Sequence, residues 1–249
     1  MCSDLTGRTA LVTGVSRRAG IGAAIARELA HAGARLFITF YRRYDHQQTW
    51  GAGPEEPEAL LRELGAITDA GGIELDLADP AASARLMAQA AQRFGHVDIL
   101  VNNAAHWEAG GISDVDAGHL DRHYAVNVRA TVLLCAEFAR QLPLGRPGRI
   151  LNITSGQGRA PMPGAVAYAV TKSALDALTL TLSAELADRR ITVNALDPGP
   201  TDTGWISDEL RSQLMRITSP QEVARLVGRL AADEGASVTG QIIRMQENA

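Results

Sequence analysis

Short runs rich in Val, Ile and Leu recur along the chain, separated by longer segments with helical spacing of apolar positions. The runs predict strands near residues 9–12, 35–40, 73–75, 99–101, 149–153, 192–195 and 241–243. Helical periodicity predicts helices over "GAAIARELAHAG", "DPAASARLMAQAAQRFG", "AGHLDRHYAVNVRATVLLCAEFARQL", "SALDALTLTLSAELADR" and "SPQEVARLVGRLAADEG". Continuous apolar strands alternating with helices are the pattern of βα units around a parallel sheet buried on both faces. Right-handed crossovers wind such units into a doubly wound, seven-stranded parallel sheet, and ligands then bind beyond the C-terminal strand ends. The expectation is an α/β chain with a single domain over residues 1–249 and a short lid around 203–219. One stretch breaks the rhythm. "YRRYDHQQTWGAGPEEPEALLRELG" is rich in Gly, Pro and charge and reads as an irregular surface loop.

Composition narrows the class. Hydrophobic residues make up 46% and charged residues 21%, as in globular domains, and no apolar run approaches the roughly 20 residues that span a bilayer. The start "MCSDLTGRTALVTG" lacks the pattern of an export signal, so a cytoplasmic, membrane-free protein is expected. Cys2 and Cys135 form no CxxC and read as reduced bystanders. A net charge of -4 disfavours nucleic-acid binding.

Candidate chemistry begins at "VTGVSRRAGIG", where a strand enters a glycine-bearing turn that opens a helix. Backbone N–H groups and the helix dipole at such a turn favour a phosphate. Gly14 suits the sharp turn, and Gly20 and Gly22 suit close approach. The second strand ends "FITFYRR", with Phe40 and Tyr41 where an NAD site would place an acid for the ribose 2'-hydroxyl. Arg42 and Arg43 follow, and Arg17 and Arg18 stand in the first loop. Guanidinium groups clustered there suit the extra phosphate of NADP, so NADP(H) is the expected cofactor; which arginine reaches it stays open.

The second candidate is "ILNITSGQGRAPMPGAVAYAVTKSALDAL". Tyr168 and Lys172 are four apart on one helical face, and Ser155 follows the preceding strand. An adjacent ammonium would lower the tyrosine's pKa toward the range of a proton carrier, and the serine would hold a carbonyl oxygen. Of 24 basic residues, 23 are arginine and one is Lys172. A position that departs from so uniform a usage calls for a compact ammonium.

These motifs together resemble the short-chain dehydrogenase/reductase family over essentially the whole chain. "TGVSRRAGIG" is similar to its TGxxxGxG loop, "NNAA" at 102–105 to NNAG, "YAVTK" to YxxxK, and Pro198-Gly199 to its PG motif. The resemblance, with its 3-oxoacyl-carrier-protein reductase-like flavour, implies roles position by position. Tyr168 is the general acid, Ser155 polarises the substrate oxygen, Lys172 supports Tyr168 and the nicotinamide ribose, and Asn127 holds a water leading to the lysine. Asp76 with Leu77 meets adenine, Asn103, Ala104 and Ala105 line the ribose, and Thr203 bonds the carboxamide. Ser16, Ile21, Tyr41 and Thr201 complete the expected cofactor contacts. Asp76 also suits a cap on the following helix. The chain departs from the pattern in a first loop two residues longer, in Ala105 for glycine, and in ending "GQIIRMQENA" without the usual diglycine.

The implied activity is hydride transfer between NADP(H) and a carbonyl or alcohol substrate, with reduction of a ketone expected. The alternative is a non-catalytic NADP-binding regulatory or scaffolding protein on the same fold. A homodimer or homotetramer is expected. Trp107 and Trp205 read either as pocket walls or as ordinary packing. His119 and His123 have the spacing of a metal pair, but without a third ligand in view they read as exposed helix histidines, and no metal site is expected.

Overall fold

The computed structural model describes residues 4–48, 51–158, 160–204, 206, 208–214 and 216–245. Among them seven strands form one parallel sheet: β1 (Thr9–Val12), β2 (Arg35–Phe40), β3 (Ala70–Glu74), β4 (Ile99–Asn102), β5 (Gly148–Ile153), β6 (Ile191–Asp197) and β7 (Ile242–Arg244). Their order is β3-β2-β1-β4-β5-β6-β7. Strand order reverses between β1 and β4, which opens a crevice at the C-terminal ends of those two strands.

Alternation along the strands sends side chains to two cores. Ala10, Val12, Leu36, Ile38, Ile99, Val101, Leu151 and Ile153 face one side, where they meet α1 (Ile21–His31), α3 (Glu56–Gly65) and α9 (Pro220–Ala231). Leu11, Phe37, Leu100 and Ile150 face the other, against α4 (Ala82–Phe94) and α6 (Thr131–Gln141). Burial on both faces is why these strands read as unbroken apolar runs. At the start of α9, the Ser219 side chain accepts from the Glu222 N–H while Glu222 reaches back to the Ser219 N–H. Such a reciprocal cap stabilises a helix end by about 1 kcal/mol.

Three expectations are corrected. The charged stretch after β2 is not an irregular loop: it contains α2 (Arg42–His46) and α3, whose Leu60 and Leu64 are fully buried. β3 begins three residues before its expected start, at Ala70-Gly71-Gly72. The expected helix over "AGHLDRHYAVNVRATVLLCAEFARQL" is α5 (Ala117–Tyr124) and α6 joined by one π-helical turn, Ala125–Ala130, which contains Asn127. Single π turns within α-helices recur at functional sites. The remaining helices are α7 (Val166–Glu185) and α8 (Asp208–Gln213), the latter inside the expected lid. No described helix is long and apolar enough to cross a membrane.

Candidate active site

A cavity of about 970 Å³ opens along the strand-order reversal. Its floor joins two distant turns. Thr13 Oγ1 accepts the N–H groups of Asn103 and Ala104, each at 3.0 Å, and Asn103 Nδ2 donates to the carbonyls of Thr13 and Gly14 at 2.8 and 3.1 Å. Gly14 has φ +72°, and a Cβ there would meet Ala104 Cα at 2.6 Å; a Cβ on Gly22 would meet Asn103 Nδ2 at 2.6 Å. The first loop thus gives up side chains so that backbone can pack on backbone, leaving a cradle open beside the N-terminus of α1.

At one end of the cavity lie Tyr41, Arg43 and Asp76. The Tyr41 hydroxyl hydrogen-bonds Asp76, and burial together with that carboxylate raises its pKa. Asp76 Oδ1 also accepts the Ala78 N–H at 2.8 Å, so it braces its own turn as well as lining the wall. Ser16 Oγ accepts the Tyr41 N–H at 3.1 Å, which ties the first loop to the end of β2.

The four arginines expected near this end divide. Arg17 and Arg43 line the cavity. Arg17 Nη2 also donates to the Thr203 carbonyl at 2.5 Å, linking the first loop to the segment after β6. Arg18 turns away, with its guanidinium on Glu63 at 2.7 Å and its N–H on Glu56. Arg42 is held by Glu74 and Glu58. Neither Arg18 nor Arg42 is among the described residues that line the cavity, although both belong to the expected cofactor set.

The other expected cofactor positions lie on this wall: Gly14, Ser16, Gly20, Ile21, Gly22, Leu77, Asn103, Ala104, Ala105, Pro198, Gly199, Thr201 and Thr203. Thr201 Oγ1 donates to the Gly199 carbonyl at 3.0 Å.

Ser155, Tyr168 and Lys172 meet at the opposite end. Ser155 ends the turn after β5, and Tyr168 and Lys172 stand one turn apart at the start of α7. The Ser155 side chain hydrogen-bonds the Tyr168 phenol. Lys172 is 2% exposed, its Nζ donating to the Ile153 carbonyl at 2.8 Å and lying 5.7 Å from the centre of the Tyr168 ring. Burial brings the lysine down to about 8. Tyr168 behaves otherwise than the sequence leads one to expect: burial raises its pKa, against the pull of Ser155 and with a further push from Asp197. Desolvation of the phenolate outweighs stabilisation by neighbours.

Asn127 is buried outside the cavity wall. Its Nδ2 donates to the His106 carbonyl and to Thr171 Oγ1, each at 3.0 Å, and its Oδ1 accepts the His106 N–H at 2.7 Å. It holds the loop after β4 against α7 and makes no described hydrogen bond to Lys172.

Where that loop meets α5 lies what the sequence did not disclose. His119 and His123 are buried, not exposed. Their rings stack edge-on at 4.7 Å, and His106 joins His123 at 4.9 Å. The Glu108 N–H donates to His123 Nε2 at 3.1 Å and His123 Nδ1 donates to the His119 carbonyl at 2.9 Å, so the His123 ring is neutral. Burial lowers the pKa of both His106 and His123. Glu108, bonded by Arg122 and His106, is held down at about 2. No described group of His, Cys, Asp and Glu has the arrangement of a metal site.

Tyr44 and Trp107 form a second tie. The Trp107 N–H donates to the Tyr44 hydroxyl at 2.9 Å, and that hydroxyl donates to the Trp107 carbonyl at 3.3 Å. Tyr44, His106, Trp107, Met162 and Pro163 all line the cavity. Trp205 lies outside the described residues. Cys135 is buried against Asn102, its thiol pushed up to about 12, in keeping with an unreactive role.

A doubly wound parallel sheet with a glycine cradle at its switch point, and a Ser-Tyr-Lys set across the same cavity, defines a dinucleotide-type oxidoreductase scaffold. Comparison with known proteins gives the family: the short chain dehydrogenase model matches residues 8–213, and the chain belongs to that family. It is 42% identical over 247 residues to the uncharacterized oxidoreductase YjdA of Bacillus subtilis, covering 96% of this chain and 95% of that one. Among solved structures, a short chain dehydrogenase from Burkholderia cenocepacia in complex with NADP superposes with a TM-score of 0.86 at 35% identity, over 97% of both chains. A blue fluorescent protein from a metagenomic library, in complex with NADPH, does so with a TM-score of 0.86 at 36% identity, over 98% of both.

Proposed function

We propose that the chain is an NADP(H)-dependent carbonyl reductase, with Ser155, Tyr168 and Lys172 as its catalytic residues. The observation that carries this reading is the meeting of those three side chains at one end of a cavity whose other end presents Arg43 and has no acid at the end of β2, with Arg17 also on its wall. The residues fit a dinucleotide: the Gly14 and Gly22 cradle is open where a Cβ would close it, and two guanidinium groups line the wall for a phosphate. Arg43 and Arg17 would hold the 2'-phosphate, and Asn103, Ala104 and Asp76 the adenosine. When bound, the nicotinamide supplies or accepts the hydride.

The chain's own residues handle the oxygen and its proton. Ser155 donates to the carbonyl oxygen, which makes the carbon more electrophilic. Tyr168 stands above its ordinary pKa and is therefore protonated at neutral pH, as a general acid for reduction must be. Its proton passes to the oxygen as alkoxide character develops. Lys172, with its pKa at about 8, keeps an ammonium beside the phenol through most of the neutral range and steadies the phenolate left behind. Asn127 serves as a positioning residue. Tyr44, Trp107, Met162 and Pro163 favour a substrate with an apolar or aromatic body.

Exposed Leu120, Tyr124, Val132, Val170 and Leu180 on α5, α6 and α7 support a homo-oligomer, to be checked by light scattering. A cytoplasmic location and a small lid built around α8 belong to the same proposal.

The test is NADPH consumption against a panel of ketones, aldehydes, quinones and 3-oxoacyl thioesters, with Tyr168→Phe as control. Turnover on some member that the substitution abolishes, with NADPH affinity nearly intact, is the expected result. Substantial turnover by the variant overturns the mechanism. Tight NADPH binding with no turnover on any member favours the non-catalytic alternative.

A further inference from the structure

Behind Ser155, Tyr168 and Lys172 lies a polar pair that the proposed chemistry does not use. Asp176 stands four residues after Lys172 on α7, so the two side chains share one helical face, with Cβ atoms about 5–6 Å apart. Gln157 stands two residues after Ser155, in the short 3-10 turn Gly156–Gly158. Gln157 Nε2 donates to Asp176 Oδ2 at 3.3 Å, which ties the serine's own turn to the helix of Tyr168 and Lys172. Asp176 Oδ1 and Gln157 Oε1 are buried without a hydrogen-bond partner among the described residues. A half-buried carboxylate with an unsatisfied oxygen is costly unless a cation answers it.

The groups acting on Asp176 come from four elements. Burial raises its pKa; the Gln157 hydrogen bond lowers it; Asp197 at the end of β6 raises it; Arg244 of β7 and Lys172 of α7 lower it. Arg244 packs against the serine turn itself, since a Cβ on Gly158 would meet its Nη2 at 2.9 Å. In return, Asp176 is the charge that opposes the effect of burial on Lys172, whose Nζ donates to the neutral Ile153 carbonyl.

We propose that Asp176, oriented by Gln157, is a positioning residue whose negative charge holds the buried Lys172 as an ammonium. This rests on the reading of Lys172 as the partner of Tyr168, but it concerns the charge of the lysine and needs no turnover to test. A plain tie between turn and helix would need the hydrogen bond alone, and a charge answered by Arg244 alone would leave the titration of Lys172 unmoved.

Lys172 is the chain's single lysine. The 249-residue chain labelled with 13Cε-lysine therefore gives one side-chain resonance, and its pH titration reads this ammonium with no assignment, substrate or cofactor. The wild type is expected to titrate near 8. Asp176→Asn keeps a side-chain oxygen for Gln157 and removes the charge, so the midpoint should fall by about 0.5–1 pH unit. Asp176→Glu keeps the charge and should titrate close to wild type. Asp176→Ser, small and neutral, reads the same fall if the asparagine variant does not fold. Superimposed titrations of the wild type and a folded neutral variant would overturn the proposal. Failure of the carbonyl-reductase reading would show instead as absent turnover with the Lys172 shift intact.

Discussion

His106 and Asn127 clasp each other through both polar groups of each: the His106 N–H donates to Asn127 Oδ1 at 2.7 Å, and Asn127 Nδ2 donates to the His106 carbonyl at 3.0 Å. The pair fixes the loop that carries Trp107 to the π turn between α5 and α6. Asn127→Ala strands two backbone groups of a partly buried loop, and each such loss costs about 1–3 kcal/mol. The expected outcome is a lower urea midpoint at unchanged slope. An unchanged midpoint would show that the loop is held by Tyr44 and His123 alone.

Arg43 and Arg42 are neighbours with separate fates, and their substitution should separate cofactor choice from structure. Arg43→Ala is expected to weaken NADPH by about tenfold relative to NADH, the range of one charged hydrogen bond. Arg42→Ala removes contacts to Glu58 and Glu74 and should leave the NADPH-to-NADH ratio of dissociation constants unchanged. Fluorescence titration with both nucleotides decides; equal losses in both variants would contradict the assignment.

Gly14→Ala is expected to be more damaging than Gly145→Ala. Both glycines have positive φ, +72° and +79°, so both variants carry the left-handed strain of about 1–2 kcal/mol. Only at Gly14 does the new methyl strike backbone, at Ala104, whereas nothing lies within 4 Å of a Cβ at Gly145. Thermal unfolding and NADPH binding should therefore fall together in the first variant, while binding survives in the second.

The histidine cluster predicts loss of stability in acid. Burial lowers the folded pKa of His106 and His123 below the ordinary 6.5, so below that pH the unfolded chain binds protons that the folded chain refuses. Stability contributed by these rings is present above 6.5 and declines as pH falls through that value toward their folded pKa values. Glu108 adds a second loss between its ordinary 4.5 and its folded value of about 2. Urea midpoints measured from pH 7 to pH 5 should fall, and His123→Asn should flatten the fall. A variant curve parallel to wild type would place the titrating groups elsewhere.

Much of this architecture was readable because parallel strands buried on both faces leave unbroken apolar runs, and because Ser155, Tyr168 and Lys172 lie close in sequence. The apolar pattern places β3 late because Ala70, Gly71 and Gly72 carry no hydrophobic signal. Crowding explains them: a Cβ on Gly72 would meet Ile38 at 2.8 Å, and one on Gly71 would meet Arg93 at 2.9 Å. His119 and His123 read as exposed because their cover, His106 and Glu108, comes from a separate loop that spacing along one helix does not show. Arg42 and Arg43 differ only in direction at the start of α2, which composition does not encode. The acids that hold Arg42, Glu58 and Glu74, were the available signal, since they make a guanidinium at that position more useful as a brace than as a ligand.

The floor beneath the cradle joins residues ninety positions apart, Thr13 with Asn103. A chain emerging from the ribosome therefore displays its glycine loop long before that loop has anything to rest on. Without β4 beside β1, the loop lacks the Asn103 and Ala104 contacts on which it rests. Nucleotide binding thus reports that the two halves of the sheet have closed, and a saturating supply of NADPH would act on newly made chains as a clamp that retains the closed ones.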